Sequence, residues 1–262
     1  MKDPIVIIGI GEIGSVFARG FLKTGHPVYP VTREMDFQQA VNRVPEPELV
    51  LVAVGEADLS DVLANIPEPW KCNIALIQNE LLPNDWQKHG YKNPTVASIW
   101  FEKKKGQDVK VVVASPIYGP HAGLIKCALD TLDIPNTLIE DENTLLFELV
   151  RKNYYILASN ICGLKTGGTV SELWKNHESL VRDVLKDIHK IQEYLTGETL
   201  DAEALLQAML LAFDGDPEHG CMGRSAPARL ARALKIAEDA NLDVPTLQAI
   251  AAETLKEALI KS

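Results

Sequence analysis

The sequence has few cysteines, no excess of basic residues and no cluster of histidines, and each shortage excludes a class of protein. The four cysteines (Cys72, Cys127, Cys162 and Cys221) are far apart, so we expect reduced thiols rather than a disulfide framework or a zinc site. The six histidines form no ligand motif, and no bound metal is expected. With 26 Lys and Arg against 36 Asp and Glu, the net charge is −10, which disfavours nucleic acid as a partner.

Long apolar segments are also missing. No stretch approaches the roughly 20 apolar residues of a membrane-spanning helix, and the run Ile5–Ile8 is shorter than the about 7–15 residues of a signal-peptide core. We therefore expect no membrane association, and the reduced thiols expected above favour a cytoplasmic protein. At 262 residues and 46% hydrophobic composition, the chain can form one large domain or two small ones.

Short apolar runs alternate with helical spacing in the first half of the chain. The runs Ile5–Ile8, Glu48–Val54 and Asn73–Asn79 are typical of strands buried on both faces of a parallel sheet. The segment "HPVYPVTR" predicts another strand, which we expect inside the sheet and either short or bulged because of Pro30. "TVASIWF" and "VKVVVA" flank the charged loop "EKKKGQD" and predict a hairpin. This alternation indicates an α/β fold with a parallel sheet.

The second half has helical signals only. "ENTLLFELVRKNYYILASNICGL" has near-helical apolar spacing, "GGTVSELW" is expected to interrupt it, and "NHESLVRDVLKDIHKIQEYL" predicts an amphipathic helix. Asp201 is expected to cap the next helix, and two further helices follow. We therefore predict two domains, residues 1–142 and residues 143–262.

The turn after the first strand carries three glycines at the spacing of a phosphate-binding loop. Gly9 would allow the sharp bend, Gly11 would let a pyrophosphate approach the backbone, and Gly14 would let the helix pack on the strand. The following helix would present free N–H groups and the positive end of its dipole. Such turns also occur as purely structural features, but the preceding strand and following helix favour dinucleotide binding.

The end of the second strand predicts which dinucleotide binds. NAD sites commonly place Asp or Glu there, whereas this chain has Thr32-Arg33. A guanidinium suits a ribose 2′-phosphate because it forms bidentate, charge-assisted hydrogen bonds, so we predict NADP as the cofactor. Two alternatives stay open: Glu34 as the acidic partner of NAD, and Arg33 as a solvated loop cation.

Together these segments resemble the ketopantoate reductase (2-dehydropantoate 2-reductase) family over most of the chain. The similar segments are, in order, "VIIGIGEIGSVFARGFLKTGHPV…TR", "ALIQNELL", "VVVASPIYGP", "ELVRKNYYILASNICGL" and "ANLDVPT". The resemblance implies a Rossmann-like NAD(P)-binding domain followed by an all-helical domain of the 6-phosphogluconate dehydrogenase C-terminal type. It also implies hydride transfer to a 2-keto acid or similar small carbonyl, with a small-molecule substrate as partner and a homodimer as a compatible assembly.

The resemblance assigns roles to individual residues. Lys152 matches the catalytic lysine and Asn79 the catalytic-site asparagine, whereas from residue type alone they would be an exposed helix lysine and a strand-end turn residue. Asn160 and Ser225 fall at weaker matches in the substrate domain. The expected cofactor contacts are Gly9, Ile10, Gly11, Glu12, Ile13, Gly14, Thr32, Arg33, Val54, Gly55 and Asn79.

Two positions depart from the family pattern. Ile156 stands where family members have a substrate-binding Asn one helical turn after the lysine, and Ser225 stands where they have a substrate-binding Glu. These differences put the substrate in question more than the fold. A dehydrogenase of the same fold for an imine or 3-hydroxy acid, and a catalytically silent NADP-binding protein, are therefore the alternatives.

Overall fold

The computed structural model describes residues 2–261, and their side chains as far as residue 254. The chain divides into two compact units, residues 1–149 and 150–262. The division falls inside the helix Glu142–Thr166 rather than at its first residue. The start of this helix is tied to the first unit, because the Tyr118 hydroxyl donates a hydrogen bond to Glu142. Within the described part of the chain, no helix combines the length and apolar character needed to cross a membrane.

The first unit is built around a seven-stranded sheet. The strands of this unit are β1 (Ile5–Ile8), β2 (Val28–Val31), β3 (Leu49–Val52), β4 (Ile74–Leu76), β5 (Thr95–Ala97), β6 (Phe101–Glu102), β7 (Lys110–Val111), β8 (Ser115–Tyr118) and β9 (Asn136–Leu138). The sheet order is β2-β1-β3-β4-β5-β8-β9, and β6 pairs with β7 separately. Neighbours in the large sheet are parallel except β5 and β8. The predicted α/β class with a parallel-dominated sheet is confirmed.

The helices of this unit connect the strands and complete its core. They are α1 (Glu12–Lys23), α2 (Phe37–Arg43), α3 (Leu59–Asn65), a 3₁₀ helix (Glu68–Asn73), α4 (Pro83–Gln87) and α5 (Ala122–Asp130). The apolar face of α1 buries Phe17 and Phe21 in the same cluster as β1 and β3. A side chain at Gly20 would lie 2.6 Å from the Ala128 carbonyl oxygen, so glycine there permits the close packing of α1 on α5.

The second strand differs from the expectation in its place in the sheet. It was expected to be internal, but β2 is an edge strand whose partner is β1, with Pro30 opposite Ile7. Proline lacks the N–H that a central strand must donate, and an edge strand has one side on which no ladder is required. The edge position therefore explains how two prolines occur in and beside this strand.

The predicted hairpin is divided between two sheets. Phe101 pairs antiparallel with Val111 in the small β6–β7 sheet, while Val96 pairs antiparallel with Tyr118 in the large one. Phe101 is buried and lies against Phe17, with ring centroids 6.3 Å apart. The small sheet thus adds an aromatic side chain to the core beside α1.

The second unit is helical. It contains most of α6 (Glu142–Thr166), then α7 (Val170–Thr196), α8 (Ala202–Gly215), α9 (Ala226–Asp239) and α10 (Pro245–Lys261). The interruption predicted for "GGTVSELW" is shorter than expected, because α7 already begins at Val170. Thr169 and Glu172 form a reciprocal capping box at this start, and the backbone leaves helical geometry within α7 at His177. Asp201 caps α8 by accepting from the Ala204 N–H, as predicted.

A buried carboxylate on α7 caps α10. Asp187 Oδ2 accepts the backbone N–H groups of Thr246 and Leu247, at 2.8 and 3.2 Å. These N–H groups belong to the first turn of α10, where no partner exists within the helix. Asp187 is 2% exposed, so this cap joins two helices that are distant in sequence.

Replacing this cap should destabilise the second unit. For Asp187→Ala we expect a loss of about 1.5–3 kcal/mol in the free energy of unfolding, because two hydrogen bonds to a buried charged group disappear. Urea denaturation followed by far-ultraviolet circular dichroism measures it. Asp183→Ala is the matched control one turn earlier, since the Asp183 side chain is about half exposed and pairs with Lys186. It should change stability by no more than about 0.5 kcal/mol. Equal losses of unfolding free energy in the two variants would contradict the stabilising role of the Asp187 cap on α10.

Candidate functional site

Each glycine of the β1–α1 turn meets a different geometric demand. Gly9 has a φ of +94°, and a side chain there would lie 2.8 Å from the Ala53 carbonyl oxygen. A Cβ at Gly14 would lie 2.1 Å from the Gly9 carbonyl oxygen, so this glycine lets α1 pack directly on the turn. A Cβ at Gly11 would meet no described atom within 4 Å. Gly9 and Gly14 are therefore required by the backbone geometry of the turn, while Gly11 leaves the backbone accessible to a ligand.

The space beside Gly11 lies at the start of α1. This helix begins at Glu12, and the Ser15 N–H makes the first bond, to the Gly11 carbonyl. The N–H groups of residues 11–14 therefore have no acceptor within the helix. Such N–H groups, together with the helix dipole, bind phosphates when the backbone is accessible. The turn fits a pyrophosphate because glycine leaves this approach open.

A cavity of about 990 Å³ extends from this turn across the ends of β1, β2 and β3. Most of the predicted cofactor contacts line it: Gly9, Ile10, Gly11, Thr32, Arg33, Val54 and Gly55. The other four members of the predicted set, Glu12, Ile13, Gly14 and Asn79, lie outside its lining. Glu12 pairs with Lys103 at 3.6 Å, Ile13 packs on the core, and Gly14 is buried under the turn. The cavity lies at the carboxyl edge of the sheet, where ligands of open α/β folds bind.

Arg33 reaches across the end of β1 toward the β3 side of the cavity. Its Nη2 lies 2.8 Å from Asp58 Oδ2, and its side chain is 89% exposed. Thr32 and Glu34 are exposed beside it. The guanidinium is therefore accessible to a ligand, but it already has a carboxylate partner.

Asn79 lies in a turn after β4. It is half-buried, and the next residue, Glu80, has a φ of +57° in the left-handed region. The preceding Gln78 is buried, and its Nε2 donates to the Val52 and Val54 carbonyls at 2.7 and 3.3 Å. Gln78 thereby fixes the loop after β3, which lines the cavity, to the turn that carries Asn79.

The second unit carries the remaining predicted residues on α6. Lys152, Ile156 and Asn160 are four residues apart, so they share one face of the helix. All three are buried, and Lys152 is 5% exposed. The alternative of an exposed helix lysine is therefore wrong. Asn153 is oriented differently, because its Nδ2 donates to Gln192 Oε1 on α7 at 2.9 Å.

Asn160 has a charged neighbour from α9. The Arg229 guanidinium donates to Asn160 Oδ1 at 2.9 Å, and both side chains are nine-tenths buried. Ser225 occupies the N-cap position of α9, but it is exposed and its side chain makes no capping bond among the described contacts. The two substrate-domain candidates therefore differ: Asn160 belongs to a buried polar cluster, and Ser225 lies on the surface.

The cysteines of this unit are poorly suited to nucleophilic catalysis. Burial raises the pKa of the Cys162 thiol to about 12 and that of Cys221 to about 11, so neither is a thiolate near neutral pH. The described residues also contain no group of three or more His, Cys, Asp or Glu side chains placed to hold a metal ion.

Three polar residues contact the candidate residues or their loops but were not predicted from the sequence: Asp58, Gln78 and Arg229. The first two follow strand ends at the carboxyl edge of the sheet, and that position is a usable signal. No sequence signal marked Arg229, because an arginine on an amphipathic helix is ordinarily solvated. Its contact with Asn160 joins residues 69 positions apart.

The glycine turn provides a direct test of ligand binding. Gly11→Val should lower the thermal unfolding temperature by no more than about 2–4 °C, because valine is a poorer N-cap than glycine but its side chain meets open space. It should weaken dinucleotide binding at least tenfold by filling the phosphate approach. Gly14→Ala is the contrasting variant, expected to destabilise the fold itself. Differential scanning fluorimetry and cofactor titration separate the two effects. Undiminished binding by Gly11→Val would rule out this phosphate position.

Comparison with known proteins supports the fold through structure rather than sequence. No protein-family model matches the chain, and no curated protein matches its sequence. The crystal structure of 2-dehydropantoate 2-reductase from Methylococcus capsulatus is similar, with a TM-score of 0.69 at 15% identity over 99% of this chain and 98% of that chain. Dimeric ketopantoate reductase from Staphylococcus aureus has a TM-score of 0.61 at 18% identity, over 99% and 100% of the two chains.

A third neighbour has a different activity. D-mandelate dehydrogenase, solved as a ternary complex with NADH and anilino(oxo)acetate, has a TM-score of 0.64 at 13% identity over 97% of both chains. The resemblance to ketopantoate reductases predicted from sequence is thus confirmed as a shared fold. This fold, in its solved examples, carries more than one oxidoreductase activity.

Proposed function

From this fold and the cavity beside its glycine turn, we propose that the protein is an NADP-dependent oxidoreductase that reduces a 2-keto acid or similar small carbonyl by hydride transfer. The observation that carries the proposal is the cavity at the carboxyl edge of the sheet. It combines an open phosphate approach at Gly11 with an accessible guanidinium at Arg33. These are the two groups that the phosphates of NADP require.

Different residues of the cavity would bind different parts of the cofactor. The N–H groups at the start of α1 would hold the pyrophosphate, and Arg33 would hold the ribose 2′-phosphate. Val54 and Gly55 would line the nucleotide on the β3 side, where Gln78 fixes their loop. A nicotinamide cofactor, when bound, supplies the hydride.

Lys152 has the chemistry that carbonyl reduction needs. Hydride addition to a carbonyl carbon leaves negative charge on the oxygen, and a nearby ammonium stabilises that charge and can supply the proton. Lysine is seldom buried without a functional or ionic reason, and Lys152 is 5% exposed. We assign it the role of donor to the carbonyl oxygen, and we assign Asn79, from the family resemblance alone, the role of a catalytic-site amide.

A dehydrogenase of the same fold with another substrate is the second candidate. Ile156 is buried one turn from Lys152, so an apolar side chain stands where the family resemblance predicts a substrate-binding amide. Ser225 is exposed and lacks the carboxylate expected at its position. Both differences favour a substrate other than ketopantoate, such as an imine or 3-hydroxy acid.

One experiment distinguishes these functions. NADPH and NADH binding are measured by fluorescence titration. Turnover is then followed with the reduced cofactor for ketopantoate, other 2-keto acids and cyclic imines, and with the oxidised cofactor for 3-hydroxy acids, which donate the hydride instead of accepting it. The proposal expects tighter binding of NADPH and reduction of at least one 2-keto acid. Turnover of only imines or 3-hydroxy acids would favour the second candidate. NADPH binding without any turnover indicates a silent binding protein, and absence of nucleotide binding contradicts all three.

The proposal includes a cytoplasmic location and small-molecule ligands as the partners. The few, widely spaced cysteines and the acidic net charge are the sequence features that support it. A homodimer is proposed by analogy with the dimeric Staphylococcus aureus enzyme. Size-exclusion chromatography with light scattering measures the assembly.

A further inference from the structure

We propose that Asp58 is a specificity-determining residue of the nucleotide cavity, whose carboxylate competes with a ribose 2′-phosphate for the Arg33 guanidinium. Asp58 would thereby narrow the preference for NADPH over NADH. This inference rests on the proposed function of the cavity, and it deepens that proposal by naming a residue that acts against the phosphate.

The strand order brings these two side chains together. Arg33 follows β2 and Asp58 immediately precedes α3, in the loop after β3. The strands β2 and β3 flank β1 on its two sides. Because the three strands are parallel, their carboxyl ends lie at one edge, and the Arg33–Asp58 pair spans the end of β1 where the glycine turn begins. Both residues line the cavity.

The carboxylate of Asp58 is committed to Arg33 rather than to its own helix. Aspartate at an N-cap position ordinarily accepts an N–H from the first helical turn. Asp58 occupies the N-cap position of α3, yet it makes no capping bond among the described contacts. Its Oδ2 lies 2.8 Å from Arg33 Nη2 instead. The ion pair is therefore the role that the structure gives this side chain.

The charged side chains that line the cavity disfavour the binding of a 2′-phosphate. Among the described lining residues Arg33 is the one Lys or Arg side chain, whereas Glu34, Asp58 and Asp61 bring carboxylates. A 2′-phosphate bound to the guanidinium would lie within a few ångströms of the Asp58 carboxylate, and like charges at that separation repel. The pair is largely exposed and hence weakly held, so a phosphate can displace Asp58 at a cost in affinity.

Asp61 provides a matched control. It lines the same cavity and carries the same charge, but in the described part of the chain it makes no ion pair with Arg33. Removing its charge tests the general electrostatic effect on an anionic ligand. Removing that of Asp58 tests this effect together with the release of the guanidinium.

The experiment measures affinity rather than activity. Dissociation constants for NADPH, NADH, 2′,5′-ADP and 5′-AMP are determined by calorimetry for wild type, Asp58→Asn, Asp61→Asn and Arg33→Ala. Asp58→Asn should tighten NADPH and 2′,5′-ADP about tenfold, since one adjacent like charge is removed and the guanidinium is released. The affinities for NADH and 5′-AMP, which lack the 2′-phosphate, should change less than about twofold. Asp61→Asn should tighten NADPH and 2′,5′-ADP less than Asp58→Asn does.

The outcomes separate this inference from the proposed function. If Arg33→Ala selectively weakens NADPH but Asp58→Asn leaves the NADPH to NADH ratio unchanged, or lowers it, the role of Asp58 is wrong and the function stands. If Asp61→Asn increases NADPH affinity as much as Asp58→Asn does, the effect comes from the general charge of the cavity, and the inference fails. If wild type binds neither cofactor, the proposed function fails and this inference with it. Asp58→Ser, a neutral N-cap residue, replaces Asp58→Asn if the latter does not fold.

Discussion

Lys152→Met is expected to reduce the turnover number of the wild-type reaction by about 10²–10³-fold, the loss found when one charged hydrogen-bond donor to a developing oxyanion is removed. Methionine keeps most of the volume of a side chain that is 5% exposed, so the buried packing is retained. Cofactor affinity should change little, because Lys152 is not among the residues that line the nucleotide cavity. Steady-state oxidation of NADPH and cofactor titration measure the two quantities.

Lys165→Met is the control on the same helix. Lys165 is near the end of α6, is about half exposed and pairs with Glu253. It should leave turnover within about twofold, since exposed ion pairs contribute little. A Lys152→Met enzyme that retains full turnover would remove this lysine from the proposed mechanism. A parallel loss in the Lys165 variant would indicate a general effect on the helix.

Arg33→Ala is expected to weaken NADPH binding about 10- to 150-fold and to leave NADH binding nearly unchanged. The range corresponds to about 1.5–3 kcal/mol, the contribution of hydrogen bonds to a charged group. The side chain is 89% exposed, so its removal should not disturb packing. Fluorescence titration of both cofactors checks the result, and Arg33→Lys should recover only part of the affinity because an ammonium cannot bind the phosphate bidentately.

The control for this prediction is Arg43→Ala. Arg43 is an exposed arginine in the last turn of α2, outside the lining of the cavity, and its removal changes the net charge equally. NADPH affinity should remain within about twofold of wild type. Equal losses for NADPH and NADH in Arg33→Ala would mean that the side chain contacts a part common to both cofactors, and the assignment of NADP would be wrong.

Features that depend on local conformation could be predicted from the sequence. Gly9 and Gly14 were identified by spacing, because a tight strand-to-helix turn imposes a positive φ at one position and close backbone contact at the other. The apolar runs of β1 and β3 were equally clear, since a strand covered on both faces must be apolar throughout. Asp201 was identified as a cap because the bond that it makes spans three residues.

Features that depend on the arrangement of distant segments could not be predicted in this way. Pro30 was informative about strand type, but the edge position of β2 follows from how the crossovers order the sheet. The burial of Lys152 follows from the packing around α6, which no spacing within that helix reveals. Asp58 approaches Arg33 across 25 positions of the chain, because parallel strands bring their carboxyl ends to one edge. Local spacing thus determines the turn and the strands, whereas side-chain partners depend on which elements become neighbours.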